Sequence, residues 1–236
     1  MSFRFKQFFV EDDRCAMKVG TDGVLLGAWA PSHSPRTILD IGTGSGLIAL
    51  MLAQRCPAAH IDAIDIDPAA VEQAKENFGY SPFSHQLSAC CTSLQAWNTN
   101  DRYYDLIVSN PPYFRNSLKN PDKGREQARH SDTLSYEELI THSVRLLSAN
   151  GRLALILPAE AETEISTIAS AAGLTLARVT RVYSKESKPL RRVLMAFEVT
   201  KSRDHEITPI ESTLVLEDDK GGRSAAYSEL TKDFYL

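Results

Sequence analysis

An α/β fold, with a largely parallel sheet of seven strands and helices on both faces, is predicted by three observations. From Thr37 onward, short runs of Ile, Leu and Val alternate with longer segments of helical spacing, the pattern of a sheet wrapped by helices. The first two runs are almost continuously apolar, as strands buried on both faces are. A glycine-rich turn, Gly42 to Gly46, separates the first run from the first helical segment after it.

The elements follow in order. Strands are expected at Ile38–Ile41, His60–Ile64, His85–Ala89, Tyr104–Val108, Leu153–Leu157, Leu174–Val182 and Val193–Val199. Helices fit the intervals: Leu47–Arg55, Pro68–Phe78 with Asp67 as its cap and Pro68 at its first position, and Tyr136–Leu147. The last opens on Ser135-Tyr136-Glu137-Glu138, a capping box in which serine and glutamate satisfy each other's backbone amides. Val24–Trp29 reads as a short helix before the sheet and Tyr227–Phe234 as one near the end.

The 236 residues are read as a single domain: an N-terminal segment 1–30, a core 37–200 and a C-terminal extension 201–236. A composition of 43% hydrophobic and 24% charged residues predicts a packed globular chain rather than a disordered one. Glu11, Asp12, Asp13 and Arg14 interrupt the first apolar stretch, and no apolar run approaches a membrane span, so a cytoplasmic protein with no membrane partner is expected. The cysteines, Cys15, Cys56 and the adjacent Cys90 and Cys91, match neither a zinc spacing nor a disulfide framework. The six histidines show no HxxxH or HxH pattern, and no metal is expected. These features leave the oligomeric state open, with a monomer expected.

The connection from Pro111 to Leu134 has no clear periodicity, and structureless loops of such length are usually functional or disordered. It leaves the end of a central strand, on the edge where open α/β sheets bind ligands. On that same edge lies Leu39-Asp40-Ile41-Gly42-Thr43-Gly44-Ser45-Gly46, which ends one strand and opens a helix. A dinucleotide fingerprint would require a small residue where Leu47 stands, which tilts the choice away from NAD. Asp65, at the end of the second strand about 20 residues after the glycines, is placed to accept hydrogen bonds from ribose hydroxyls.

Leu39–Gly46 together with Asp65 resembles the cofactor loop and acidic strand end of class I S-adenosylmethionine-dependent methyltransferases, with their Rossmann-like fold. The resemblance implies that S-adenosyl-L-methionine is the cofactor and that Gly42, Gly44 and Gly46 pass its methionine moiety. It implies that Asp65 and the neighbouring Ile66 hold its nucleoside, and that Asp40 lies near its amino group, although Asp40 alone also reads as a cap for the turn. Where many relatives place an aspartate to read the adenine amino group, this chain has Ser93, a weaker, uncharged partner.

Ser109-Asn110-Pro111-Pro112-Tyr113 follows the strand Tyr104–Val108 and resembles the NPPY motif of amino-group methyltransferases. The residue types suit that chemistry. An adenine amino nitrogen has its lone pair delocalised into the ring and becomes nucleophilic when acceptors hold its N–H groups. The side-chain oxygen of Asn110 and the carbonyl of Pro111 supply such acceptors, Pro112 stiffens the turn, and Tyr113 can stack on the base.

Two basic stretches point to RNA. The first contains Arg115, Lys119, Lys123, Arg125 and Arg129; the second contains Arg178, Arg181, Lys185, Lys188, Arg191 and Arg192. The N-terminal stretches Phe5-Lys6-Gln7-Phe8 and Met17–Ala30, Gln127-Ala128-Arg129 and the stretch from Tyr227 to Tyr235 are similar to the bacterial tRNA (adenine-N6)-methyltransferases that modify adenosine 37 of valine tRNA. That resemblance implies a tRNA substrate and a segment Lys18–Gly23 that closes over the cofactor, with Lys18, Thr21 and Asp22 as contacts and Asn110 serving both cofactor and substrate. The alternatives are a glutamine-N5 protein methyltransferase, disfavoured by the basic stretches, and a non-catalytic cofactor- and RNA-binding module.

Overall fold

The computed structural model describes residues 2–32, 34–98, 102–112, 134–200 and 208–236. A short hairpin of β1 (Ser2–Arg4) and β2 (Phe9–Glu11) precedes α1 (Thr21–Trp29). Then follow β3 (Thr37–Ile41), α2 (Leu47–Arg55), β4 (His60–Asp65), α3 (Pro68–Tyr80), β5 (Leu87–Cys91) and β6 (Tyr104–Ser109). The second half contains α4 (Tyr136–Leu146), β7 (Leu147–Pro158), α5 (Glu162–Ala171), β8 (Leu174–Tyr183), β9 (Arg192–Val199), β10 (Ile210–Val215) and α6 (Ala225–Thr231).

Among the described residues the main sheet has eight strands, in the order β10-β8-β9-β7-β6-β3-β4-β5. All pair in parallel except β9, which runs antiparallel to both β7 and β8. The α/β class is as expected, with one strand more than the seven predicted. The additional strand, β10, comes from the C-terminal extension, and its Glu211, Ser212 and Thr213 are exposed on the sheet edge. An edge strand with so little burial lacks the apolar run by which the other strands are recognised.

Strand alternation divides the core between two faces. Ile38, Leu106, Val108, Ala154 and Ile156 pack with the residues of α1, α2 and α3. Leu39, Ile107, Leu153, Leu155 and Leu157 pack on the other face with α4 and α5. The predicted caps are present: Asp67 accepts from the Ala69 amide at 2.9 Å, and Ser135 and Glu138 form the reciprocal capping box. Helix α5 has no counterpart in the expected elements, because its buried stripe is only Ile165 and Ala169.

The two ends of the chain meet on the first face. Lys6 N donates to the Phe234 carbonyl at 2.8 Å, and the Phe5 and Tyr235 rings stack with centroids 5.9 Å apart. This cluster anchors the segment between β2 and α1, which reaches over the carboxyl end of β3. Asn77 of α3, 1% exposed, completes the attachment: its Oδ1 accepts from Glu11 N, and its Nδ2 donates to the carbonyls of Glu11 and Ser45.

Candidate active site

The carboxyl ends of β3, β4 and β6 lie side by side, and the chain leaving each supplies one part of the site. After β3 the backbone turns through Gly42, Gly44 and Gly46, all at positive φ of 70°, 55° and 82°. A side chain on Gly42 or Gly44 would meet nothing within 4 Å, so their faces are open space. Gly46 serves packing instead: a Cβ there would lie 2.4 Å from Cε1 of Phe78. The turn and β4 are bound together by Asp65, whose Oδ2 accepts from Gly44 N at 2.9 Å and whose Oδ1 accepts from Asp67 N at 3.0 Å.

A cavity of about 340 Å³ lies above this turn, in the size range of small-molecule sites. Gly42 to Ser45 form one wall, Met17 to Gly20 and the first turn of α1 form the facing wall, and Asn110 closes the end toward β6. Asn110 is placed by its neighbour: Ser109 Oγ donates to the Ile41 carbonyl at 2.9 Å, joining the ends of β6 and β3. Thr21 and Asp22 line the cavity. Lys18 lines it as well, but its ammonium donates to the carbonyls of Asp12 (2.7 Å) and Asp13 (3.2 Å), so it holds the strap in shape. Asp12 reinforces the strap by accepting from Val19 N at 2.8 Å.

Asp40 is fully buried beneath the turn; Oδ2 accepts from the Thr43 hydroxyl at 2.7 Å, and Oδ1 makes no hydrogen bond among the described residues. Burial pushes its pKa up to about 7, against the opposing pull of Thr43 and of the Ala49 amide. The folded chain therefore binds this proton more tightly than the unfolded chain does. The stability it contributes is complete below the ordinary value of 3.8, declines as pH rises, and is lost above about 7. The stability of the ligand-free protein relative to Asp40→Asn should fall between pH 4 and 7 and then level off. Denaturant unfolding at several pH values measures this, and a pH-independent difference contradicts it.

These residues fit S-adenosylmethionine. The N-cap of α1, Gly20, has no side-chain cap, and this helix start lies in the cavity wall, a favourable place for a carboxylate. The unsatisfied oxygen of Asp40 suits an ammonium group. Ile66, 58% exposed beside Asp65, offers an apolar surface for a base. Ser93 is used locally, its Oγ accepting from Ala96 N at 3.2 Å to close the turn after β5.

Tyr113 and the first basic stretch, Arg115, Lys119, Lys123, Arg125 and Arg129, lie outside the described residues. Pro111 is buried and Pro112 exposed at the mouth of the site. Much of the second basic stretch is committed within the fold. Arg178 lies over the Trp29 ring at 4.4 Å, Arg181 pairs with Glu162 and Glu211, Lys185 with Glu217, and Arg192 with Asp22. All five partners are remote in sequence, so the clustering of cations read along the chain overstates the basic surface. Lys188 and Arg191 are exposed on the β8–β9 turn, with no ion pair among the described residues. Asn77, Ser109 and Thr43 carry no sequence signal of their own; only the fold shows what they hold. Among the described residues no group of acidic, histidine and cysteine side chains could hold a metal, and no helix is long and apolar enough to cross a membrane.

A parallel sheet with one reversed strand, a glycine turn under a cavity, an acid at the next strand end and an asparagine-proline pair at the third define a class I S-adenosylmethionine-dependent methyltransferase. Comparison with known proteins agrees. The methyltransferase small domain family matches residues 18–172. A tRNA1(Val) (adenine(37)-N6)-methyltransferase of Bacteroides fragilis is 47% identical over 236 residues, covering 99% of this chain and 97% of that protein. The protein of the same name from Parabacteroides distasonis is 47% identical over 235 residues, with the same coverage. This chain belongs to the tRNA1(Val) (adenine(37)-N6)-methyltransferase family. Its fold matches the crystal structure of a predicted O-methyltransferase from Agrobacterium tumefaciens with a TM-score of 0.68 at 17% identity, covering 90% of this chain and 96% of that one.

Proposed function

We propose that this protein methylates N6 of adenosine 37 in tRNA1(Val), with the target base held by Asn110, Pro111 and Tyr113. The observation that carries the reading is that Asn110 lines the same cavity as the glycine turn, so one chamber serves donor and acceptor. Its relatives' shared name supplies the particular tRNA and position.

Bound S-adenosylmethionine supplies an electrophilic methyl group on a sulfonium. The protein's own part is alignment and polarisation. Ser109 fixes the end of β6 to that of β3, so the Asn110 carboxamide and the Pro111 carbonyl are held at a set distance from the glycine turn. Those two oxygens accept the amino N–H groups of the adenine and stabilise the positive charge that develops on nitrogen as the methyl transfers. No carboxylate base is required, because the alkylated ammonium is acidic enough to release its proton to water. Stacking on Tyr113, worth about 1–3 kcal/mol, offsets much of the cost of extruding the base. Lys188 and Arg191, with the cations between Arg115 and Arg129, provide the phosphate contacts.

Nucleoside mass spectrometry of valine tRNA incubated with the purified protein and S-adenosylmethionine tests this. One N6-methyladenosine per molecule, mapped to position 37 and absent from a transcript carrying guanosine there, is expected. Methylation at another position, or of protein glutamine alone, would displace the proposal.

A further inference from the structure

We propose that Arg192 is a positioning residue for the cofactor cavity, acting through Asp22, and is not itself an RNA contact. This deepens the methyltransferase reading and rests on it only for the identity of the cavity's occupant.

Arg192 is the first residue of β9 and pairs with Pro158 of β7 on one side and Val182 of β8 on the other. Ser109, the last residue of β6, pairs with Leu155, three residues before Pro158. At about 3.3 Å per residue, β7 therefore runs roughly 10 Å past the end of β6. Arg192 thus stands on the same rim as the Pro111–Pro112 turn, two strands away. From there its Nε donates to Asp22 Oδ2 at 2.8 Å, while Nη1 donates to the Arg191 carbonyl at 2.9 Å, which fixes the guanidinium against its own backbone.

Asp22 belongs to the first turn of α1, and both its neighbours, Thr21 and Gly23, line the cavity. This turn has no side-chain cap of its own, since the residue before it is Gly20. The pair is 29% and 23% exposed, so it is screened less than a surface pair would be. A carboxylate in a helix's first turn also interacts favourably with the helix dipole. One ion pair therefore ties the first turn of α1 to the carboxyl-end rim of the sheet, in addition to the buried contacts that Val24 to Trp29 make with the core. The exposed Arg191, one residue away, is left to face solvent and RNA.

Calorimetric titration of the full chain with S-adenosylhomocysteine, without RNA, tests the assignment. Asp22→Asn and Arg192→Gln should each weaken binding about tenfold, and the double variant should bind no more weakly than either single one, because both remove the same contact. Arg192→Lys, which keeps the charge but not the Nε geometry, should fall between; it carries the comparison if Arg192→Gln fails to fold. Filter binding of tRNA without cofactor should be unchanged in Arg192→Lys and Arg192→Gln and weakened in Arg191→Gln. Unaltered S-adenosylhomocysteine affinity together with weakened tRNA binding in the Arg192 variants overturns the proposal, as do additive losses in the double variant. A wild-type protein that binds S-adenosylhomocysteine but methylates no tRNA would refute the proposed substrate while leaving this test intact.

Discussion

Replacing Asn110 by alanine should lower kcat by about 10²–10³-fold, the cost typical of removing one preorganised dipole from a reacting centre. The dissociation constant of S-adenosylhomocysteine should stay nearly the same. The expectation follows from position: Asn110 closes the cavity at the β6 end, whereas the glycine turn and the first turn of α1 form its other walls. Ser109 keeps its bond to the Ile41 carbonyl in the variant, so the backbone and the Pro111 carbonyl should remain in place. Asn110→Asp keeps an acceptor at the same atom and should retain more activity than the alanine. Single-turnover methyl transfer alongside calorimetry separates the two quantities. Parallel losses of rate and of cofactor affinity would show that Asn110 shapes the cofactor pocket and not the transition state.

Gly46→Ala should destabilise the protein by about 2–5 kcal/mol, combining the strain of a left-handed non-glycine residue with that of overpacking. The φ of 82° supplies the first part. The second comes from Phe78, whose Cε1 and Cζ would lie 2.4 and 2.9 Å from the new methyl group. Such a loss is a large fraction of an ordinary domain's stability. Adding Phe78→Leu removes the ring and should recover the steric part but not the backbone part. Urea unfolding of the two single variants and the double measures the coupling directly. Additivity, or a Gly46→Ala protein as stable as the wild type, would mean that the α2–α3 packing relaxes around the methyl. Gly42 and Gly44 differ, since their open faces look into space.

Much of the fold was legible in the sequence because two strong periodicities carry it. The buried strands β3, β4, β6 and β7 are apolar on both faces, and α3 and α4 announce their starts through Asp67 and Ser135. The elements that escaped are those whose burial is slight or borrowed. Strand β10 is an exposed edge, α5 buries only two side chains, and the β1–β2 hairpin is held by Asn77 and by Tyr235 near the far end of the chain.

The site divides in the same way. Gly42, Gly44, Asp65 and Asn110 could be picked out as candidates because a turn and a strand end each demand particular residue types at particular spacings. The role of a charged side chain could not, because charge acts through space and its partner is chosen by the fold. Arg192 read along the chain is one of several cations beside Arg191, and in three dimensions it is bonded to Asp22, 170 positions earlier. By itself the sequence determined the class of chemistry and the edge of the sheet where it happens. Tertiary structure decided which polar groups hold that edge together, since a hydrogen bond or ion pair forms only where folding has brought its two halves within about 3 Å of each other.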